Sequence, residues 1–260
     1  MDTTVFVNGT EVGQWKYGYT SFWFDITDAL HEGQNEVLVR CNLRHPNSRW
    51  YSGAGLYRNV ELWEASDLHL MPDGLYVAAK EGDNGAWTVA VTAEAGSVTA
   101  ASAGRTLTLH LTDDNGSLLG TAAIPADAWA ALPSPDGWRT GKETAIYKAS
   151  HTFTLQDPAL WDLDAPSFYH ITAELTGADG VTDTLTTRFG CRTIEATPDC
   201  GLLVNHKRVL IRGVCIHHDF GCLGSAFEYS AAKRQLEILK SMGVNSIRTG
   251  HTPPAPQFMD

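Results

Sequence analysis

The stretch Asn245-Ser246-Ile247-Arg248-Thr249-Gly250-His251-Thr252-Pro253-Pro254-Ala255-Pro256-Gln257-Phe258-Met259-Asp260 sets an arginine and a histidine three residues apart, just where a short apolar strand passes into a proline-rich loop. Proline ends regular structure, because its ring fixes φ and its nitrogen carries no hydrogen. The polar pair therefore stands at the carboxyl end of the strand, the end at which barrels of parallel strands carry their ligand groups. No pair of carboxylates accompanies it, so the ligand site is begun here and not completed.

Upstream, Ser230 is placed to cap a helix, Leu236, Leu239 and Met242 fall three apart on one face with Ile238 beside them, and Gly243 supplies a left-handed stop. Before that helix, Leu202-Leu203-Val204 and Val209-Leu210-Ile211 flank a hairpin over Asn205-His206-Lys207, and the second strand is expected to run on into Cys215-Ile216-His217-His218-Asp219. Strand, helix and strand make one βαβ unit. Two parallel strands neither close a barrel nor pair their outer edges, so a longer α/β domain is expected around them.

Earlier residues read as antiparallel β structure. Thr4-Val5-Phe6-Val7-Asn8-Gly9-Thr10-Glu11-Val12-Gly13 is a strand, an Asn-Gly turn and a returning strand. Phe22-Trp23-Phe24-Asp25-Ile26, Glu36-Val37-Leu38-Val39-Arg40-Cys41 and the alternating run Arg58-Asn59-Val60-Glu61-Leu62-Trp63 are expected to add strands, with a domain boundary after the last. Beyond it, apolar residues alternate with polar ones at Trp87, Val89, Val91 and Ala93, at Leu107, Leu109 and Leu111, at Phe153 and Leu155, and at Tyr169, Ile171, Ala173 and Leu175. Asp113-Asp114-Asn115-Gly116 marks a turn among them. This period of two points to an immunoglobulin-like sandwich that lacks the Cys…Trp…Cys arrangement of true immunoglobulins. The Ala- and Pro-rich stretch 122–141 is expected to be an exposed loop.

With 43% hydrophobic and 19% charged residues, the 260-residue chain can bury a sizeable core. A net charge of -11, a pI near 5.3 and no run of lysine or arginine argue against a nucleic-acid or anionic-membrane partner. No segment approaches the length of a membrane anchor. The cysteines, an odd set of 5 without C-x-x-C spacing, read as reduced thiols in packed positions, which favours the cytoplasm; a leader peptide would lie upstream of these residues. Phosphate loops, dinucleotide fingerprints and Ser-His-Asp nucleophile motifs do not occur.

Taken with Gly213-Val214-Cys215-Ile216-His217-His218-Asp219-Phe220-Gly221 and Arg49-Trp50-Tyr51-Ser52-Gly53-Ala54-Gly55-Leu56-Tyr57-Arg58-Asn59-Val60, the closing stretch resembles glycoside hydrolase family 2, and the likeness runs over nearly the whole chain. The resemblance implies a mainly β multidomain protein in three parts. Residues 1–66 would be the carboxyl-terminal part of a jelly-roll sugar-binding domain, 67–188 an immunoglobulin-like β-sandwich, and 189–260 the opening βαβ segment of a truncated (β/α)8 TIM barrel. It also implies hydrolysis of a β-glycosidic bond with retention, most like a β-galactosidase acting on terminal β-galactosides, with β-glucuronidase and β-mannosidase as alternatives. A non-catalytic carbohydrate-binding or assembly module is the alternative from another class.

The same resemblance assigns supporting roles to residues of this chain and no catalytic ones. The acid/base and nucleophile glutamates are expected after Asp260, so these 260 residues alone are expected to be inactive. Arg248 would lie beside the nucleophile and hold it ionised, the plainer reading being a salt bridge at a barrel rim. His251 and His217 match positions that hydrogen-bond the sugar, and His218 and Asp219 neighbour them. Asn8 matches an asparagine that approaches the site from the sugar-binding domain, although Asn-Gly is first of all a hairpin former. Arg49-Trp50-Tyr51 offers aromatic faces for sugar rings or for packing between domains. His217 and His218, adjacent on an extended segment, point to opposite faces, so no metal site and no cofactor is expected in these residues; magnesium is expected only in the full-length enzyme, with ligands beyond Asp260. Because both ends fall inside domains of the family, exposed strand edges are expected to drive association into homo-oligomers or to leave the chain marginally stable.

Overall fold

The computed structural model of the chain describes residues 2–43, 53–99, 104–132, 142–177 and 180–259. They fall into two compact units, one from Met1–Leu62 with Ile211–Asp260, the other from Trp63–Asp136 with Lys142–Leu210. The expected aromatic loop at Arg49-Trp50-Tyr51 lies outside the described residues.

Strands β1 (Thr3–Val7) and β2 (Thr10–Trp15) pair antiparallel, and β3 (Val37–Cys41) lies along the other side of β1. Asn8 and Gly9 have φ of 50° and 80°, the two left-handed residues that let a two-residue turn follow the strand twist. The strands expected at residues 22–26 and 58–63 do not form. Alternation makes a strand only where a neighbouring strand takes up its backbone groups, and no ladder among the described residues includes either segment. Phe22 instead stacks on Trp15 at 5.9 Å and meets Phe24 at 5.4 Å, while Val60 and Leu62 stay exposed.

In the second unit, β4 (Leu68–Glu81), β5 (Ala86–Ser97), β6 (Thr106–Asp113), β7 (Leu118–Pro125), β8 (Ala130–Leu132), β9 (Ala145–Gln156), β10 (Tyr169–Gly177) and β11 (Gly180–Phe189) build two antiparallel sheets, ordered β4-β5-β9-β8 and β11-β10-β6-β7. The alternating residues of Trp87 to Ala93, Leu107 to Leu111, Phe153 to Leu155 and Tyr169 to Leu175 all enter one buried core shared by both sheets. Successive side chains of a strand face opposite ways, so a period of two in the sequence becomes one apolar face per sheet. Each fully buried leucine of that face contributes about 1.5–3 kcal/mol. Asp113 closes the turn after β6 by accepting from the backbone N–H of Asn115 at 2.9 Å and of Ser117 at 2.8 Å.

The stretch 122–141 is not simply an exposed loop. Its first residues complete β7, Ile124 and Trp129 are buried, and the Trp129 indole donates to the Ile124 carbonyl at 3.0 Å before β8 pairs with β9. Buried aromatic surface, rather than its alanines and prolines, fixes that segment; residues 133–141 lie outside the described set.

A small antiparallel sheet follows, of β12 (Ile194–Thr197), β13 (Gly201–Val204) and β14 (Lys207–Arg208), turning at Asn205 and His206 with φ of 49° and 61°. Here β14 stops at Arg208 and does not run on to Cys215. The next strand, β15 (Gly213–Cys215), belongs to another sheet, parallel to β16 (Ser246–Arg248), and α1 (Tyr229–Ser241) connects the two.

The cap of α1 is Glu228, not Ser230. Its carboxylate accepts from Ser230 N at 3.4 Å and from Ser230 Oγ at 2.6 Å, placing negative charge at the positive end of the helix. The helix ends as expected: Gly243, at φ 84°, donates to Lys240 O at 2.9 Å and Val244 to Leu239 O at 3.1 Å, the paired bonds of a Schellman stop. Leu236 and Leu239 are half-buried, but Met242 is 72% exposed.

Of the thiols expected in packed positions, Cys191 is buried and Cys41 half-buried, whereas Cys200, in a turn, Cys215 and Cys222, in the 3-10 helix Gly221–Leu223, are exposed. All five are free. Among the described residues no helix is long and apolar enough to cross a membrane.

Candidate functional site at the ends of two parallel strands

The β15–β16 ladder pairs Gly213 with Ser246, Val214 with Ile247 and Cys215 with Arg248. Asn245 starts it, donating from its backbone to Arg212 O at 3.0 Å while its Oδ1 accepts from Arg212 N at 2.8 Å. Ile216 N closes it on Arg248 O at 2.9 Å. Both strands thus end level, and the segments beyond them, 217–219 and 249–253, emerge together at the carboxyl end where parallel sheets gather ligands.

Four of the expected residues lie on these two segments or at the end of β16. Arg248 Nη2 is 3.1 Å from His251 Nδ1, and the rings of His217 and His251 are 6.2 Å apart, edge to face. Gly250 makes this approach feasible. A Cβ there would fall 2.9 Å from His217 Cδ2 and 3.1 Å from its Nε2, and the residue's φ of 69° suits glycine in any case. Asp219 donates from its backbone to His217 O at 2.9 Å, and its Oδ1 accepts from Gly221 N at 3.1 Å, which folds the segment back on itself.

His218, the next residue, packs against aromatic rings. Its ring lies 5.3 Å from Tyr19 and 6.0 Å from Tyr57. Burial first, then the charges of Arg58 and His217, hold its pKa below the ordinary 6.5, against a smaller opposing pull from Asp219. Its Nδ1 is buried without a hydrogen-bond partner among the described residues. Burial raises the pKa of the Tyr57 phenol, partly offset by Arg58.

Asn8 is engaged elsewhere. Its amide donates to Ala29 O at 2.8 Å and to Asn35 Oδ1 at 2.7 Å, and its Oδ1 accepts from Glu36 N at 2.9 Å. Those bonds tie the hairpin turn to the 29–36 loop.

Two features of the site were not evident in the sequence. Arg58 donates to Tyr19 O and to Pro253 O, each at 2.6 Å, a bridge between residues far apart in the chain that no local pattern announces. Gly250 is the other, its role visible only once His217 is seen against it. A cavity opens beside these segments, with Tyr57, Arg58, His217, His218, Gln235 and Pro253 on its wall. No carboxylate lines it among the described residues.

Among the described residues the site offers a cation and imidazoles able to hold hydroxyl or carboxylate oxygens, and no pair of carboxylates. Among the described residues no group of three His, Cys, Asp or Glu side chains is placed to hold a metal ion.

The sequence profile of glycosyl hydrolases family 2 matches residues 73–192, and that of the TIM barrel domain of glycosyl hydrolases family 2 matches residues 196–260. The β-galactosidase BoGH2A of Bacteroides ovatus is 35% identical across 100% of this chain and 29% of its own length. A putative β-glucuronidase of Formosa agariphila is 29% identical across 100% of this chain and 23% of its own. A solved glycosyl hydrolase family 2 member from Bacteroides cellulosilyticus has a TM-score of 0.85 at 27% identity, covering 100% of this chain and 32% of that one. The chain spans between 23% and 32% of the length of these relatives.

Proposed function

Because the chain belongs to glycoside hydrolase family 2, we propose that it builds part of the mouth of a retaining β-glycosidase whose substrates are terminal β-galactosides. The observation that carries this reading is the convergence of Arg248, His251 and His217 at the level ends of two parallel strands. His251 and His217 hydrogen-bond sugar hydroxyls. Arg248 faces the nucleophilic carboxylate and keeps it ionised, since a cation within a few ångströms favours the charged form. Two glutamates, about 5–5.5 Å apart as retention demands, complete the site from other barrel strands. The galactoside preference draws support from the name of the 35%-identical relative.

A β-glucuronidase is the second reading, favoured by the name of the 29%-identical relative. The two substrates differ in the C6 carboxylate and in the configuration at C4, so paired assays separate them. The chain alone, and the chain extended through a complete eight-stranded barrel, are to be assayed with nitrophenyl β-galactoside and β-glucuronide. The extended protein is expected to hydrolyse the galactoside with retention, and the chain alone neither. Inversion, or galactoside binding without turnover in the extended protein, overturns the reading, the latter in favour of a carbohydrate-binding module.

A further inference from the structure

The guanidinium of Arg58 joins two loops whose sequences lie on opposite sides of the whole sandwich: Nη1 donates to Tyr19 O and Nη2 to Pro253 O, each at 2.6 Å. We propose that Arg58 is a positioning residue, a two-carbonyl clip that sets the His251–Pro253 loop and the His217–His218 segment in register with each other. Tyr57, its neighbour, reaches two further segments. The Tyr57 hydroxyl donates to Gly18 O at 2.6 Å, and the Tyr57 carbonyl accepts from Phe227 N at 2.8 Å. Arg58 Cζ lies 5.0 Å from the centre of the Tyr57 ring, which holds the fork in place by cation–π attraction.

Two linkages carry the clip to the strand ends. Pro253 follows His251 by two residues and precedes Pro254, so its restricted backbone transmits the position of the clipped carbonyl to the histidine. On the other strand, His218 has no hydrogen bond at Nδ1 among the described residues, and its ring is located by Tyr19 and Tyr57, the residues that the clip and its neighbour hold. His217 then inherits its place from the next peptide. A lysine would not substitute fully, because one ammonium lacks the planar fork that addresses two separate carbonyls.

The part Arg58 plays in catalysis rests on the glycosidase reading, whereas its hold on the two loops does not, and the test uses no substrate. Long-range proton–nitrogen spectra of histidine-labelled chain are to be compared for the wild type, Arg58→Met and Arg58→Lys. Arg58→Met is expected to shift the ring signals of His251 and His218 and to leave His110 and His170 of the sandwich unmoved, with Arg58→Lys restoring the shifts in part. Unchanged His251 and His218 signals in a folded Arg58→Met chain overturn the proposal, as does equal displacement of the sandwich histidines in a folded variant. Should Arg58→Met unfold, Arg58→Lys decides: shifted His251 signals support the clip, and wild-type signals overturn it.

Discussion

Arg248 Nη2 stands 3.1 Å from His251 Nδ1. A guanidinium only donates, so Nδ1 is the acceptor, and the neutral ring carries its proton on Nε2. That leaves an N–H directed away from the arginine, available to a ligand oxygen. Nitrogen spectra of the neutral ring are expected to show His251 in the Nε2–H tautomer, and Arg248→Met is expected to release it to a mixture. A predominant Nδ1–H form in the wild type rules out this bond.

Gly250 holds the two strand ends close. Alanine there meets His217 at 2.9 Å and sits at φ 69°, a left-handed conformation that costs a side-chain-bearing residue about 1–2 kcal/mol. Gly250→Ala is expected to lower unfolding free energy by at least that amount and to displace the His217 ring signal, with the sandwich unaffected. An unmoved His217 signal would show that the ring has other room.

How far the sequence disclosed this architecture depended on whether the deciding neighbour was local. The sandwich was legible because Leu107, Leu109 and Leu111 carry their burial in their own spacing, and the Asn8-Gly9 turn because its two positive φ values are a property of those residues. Residues 58–63 show the same alternation as a strand, yet no ladder forms, since pairing is a property of two segments. The strand-end placement of Arg248 and His251 followed from the prolines after them. The Arg58 bond to Pro253 did not, because its partners are 195 residues apart and its acceptor is a main-chain carbonyl, which any residue supplies.

Titration should act on the two units in opposite directions. In the sandwich, the hydrogen bond to Glu143 raises the pKa of His69 above 6.5 despite burial, and in the hairpin Glu81, then Glu195, raises that of His206. Their stabilisation is fully present below 6.5 and is lost as pH rises through the raised folded values. His218 is lowered, chiefly by burial, so its contribution is present above 6.5 and is lost as pH falls through 6.5 toward the folded value. Hydrogen exchange is expected to show β4 opening more readily at alkaline pH and residues 216–220 at acid pH. His69→Gln should flatten the first trend and His218→Phe the second; identical pH profiles for both regions would contradict these assignments.

Asn8 separates a structural role from a sugar-contacting one. Its side chain makes three hydrogen bonds to the 29–36 loop, and its φ of 50° is one asparagine tolerates better than most residues. Asn8→Ala forfeits all three bonds, of which only the one to Ala29 O is part-buried, and is expected to cost about 1 kcal/mol. Asn8→Asp keeps the acceptor for Glu36 N but turns an oxygen toward Ala29 O or Asn35 Oδ1, so it is expected to destabilise as well. Asn8→Gly relieves the backbone and should fall between wild type and alanine. Urea unfolding measures the loss, and exchange of the Leu30 and Glu36 amides localises it. Wild-type stability in Asn8→Ala would mean that these bonds hold nothing together and would overturn this structural role.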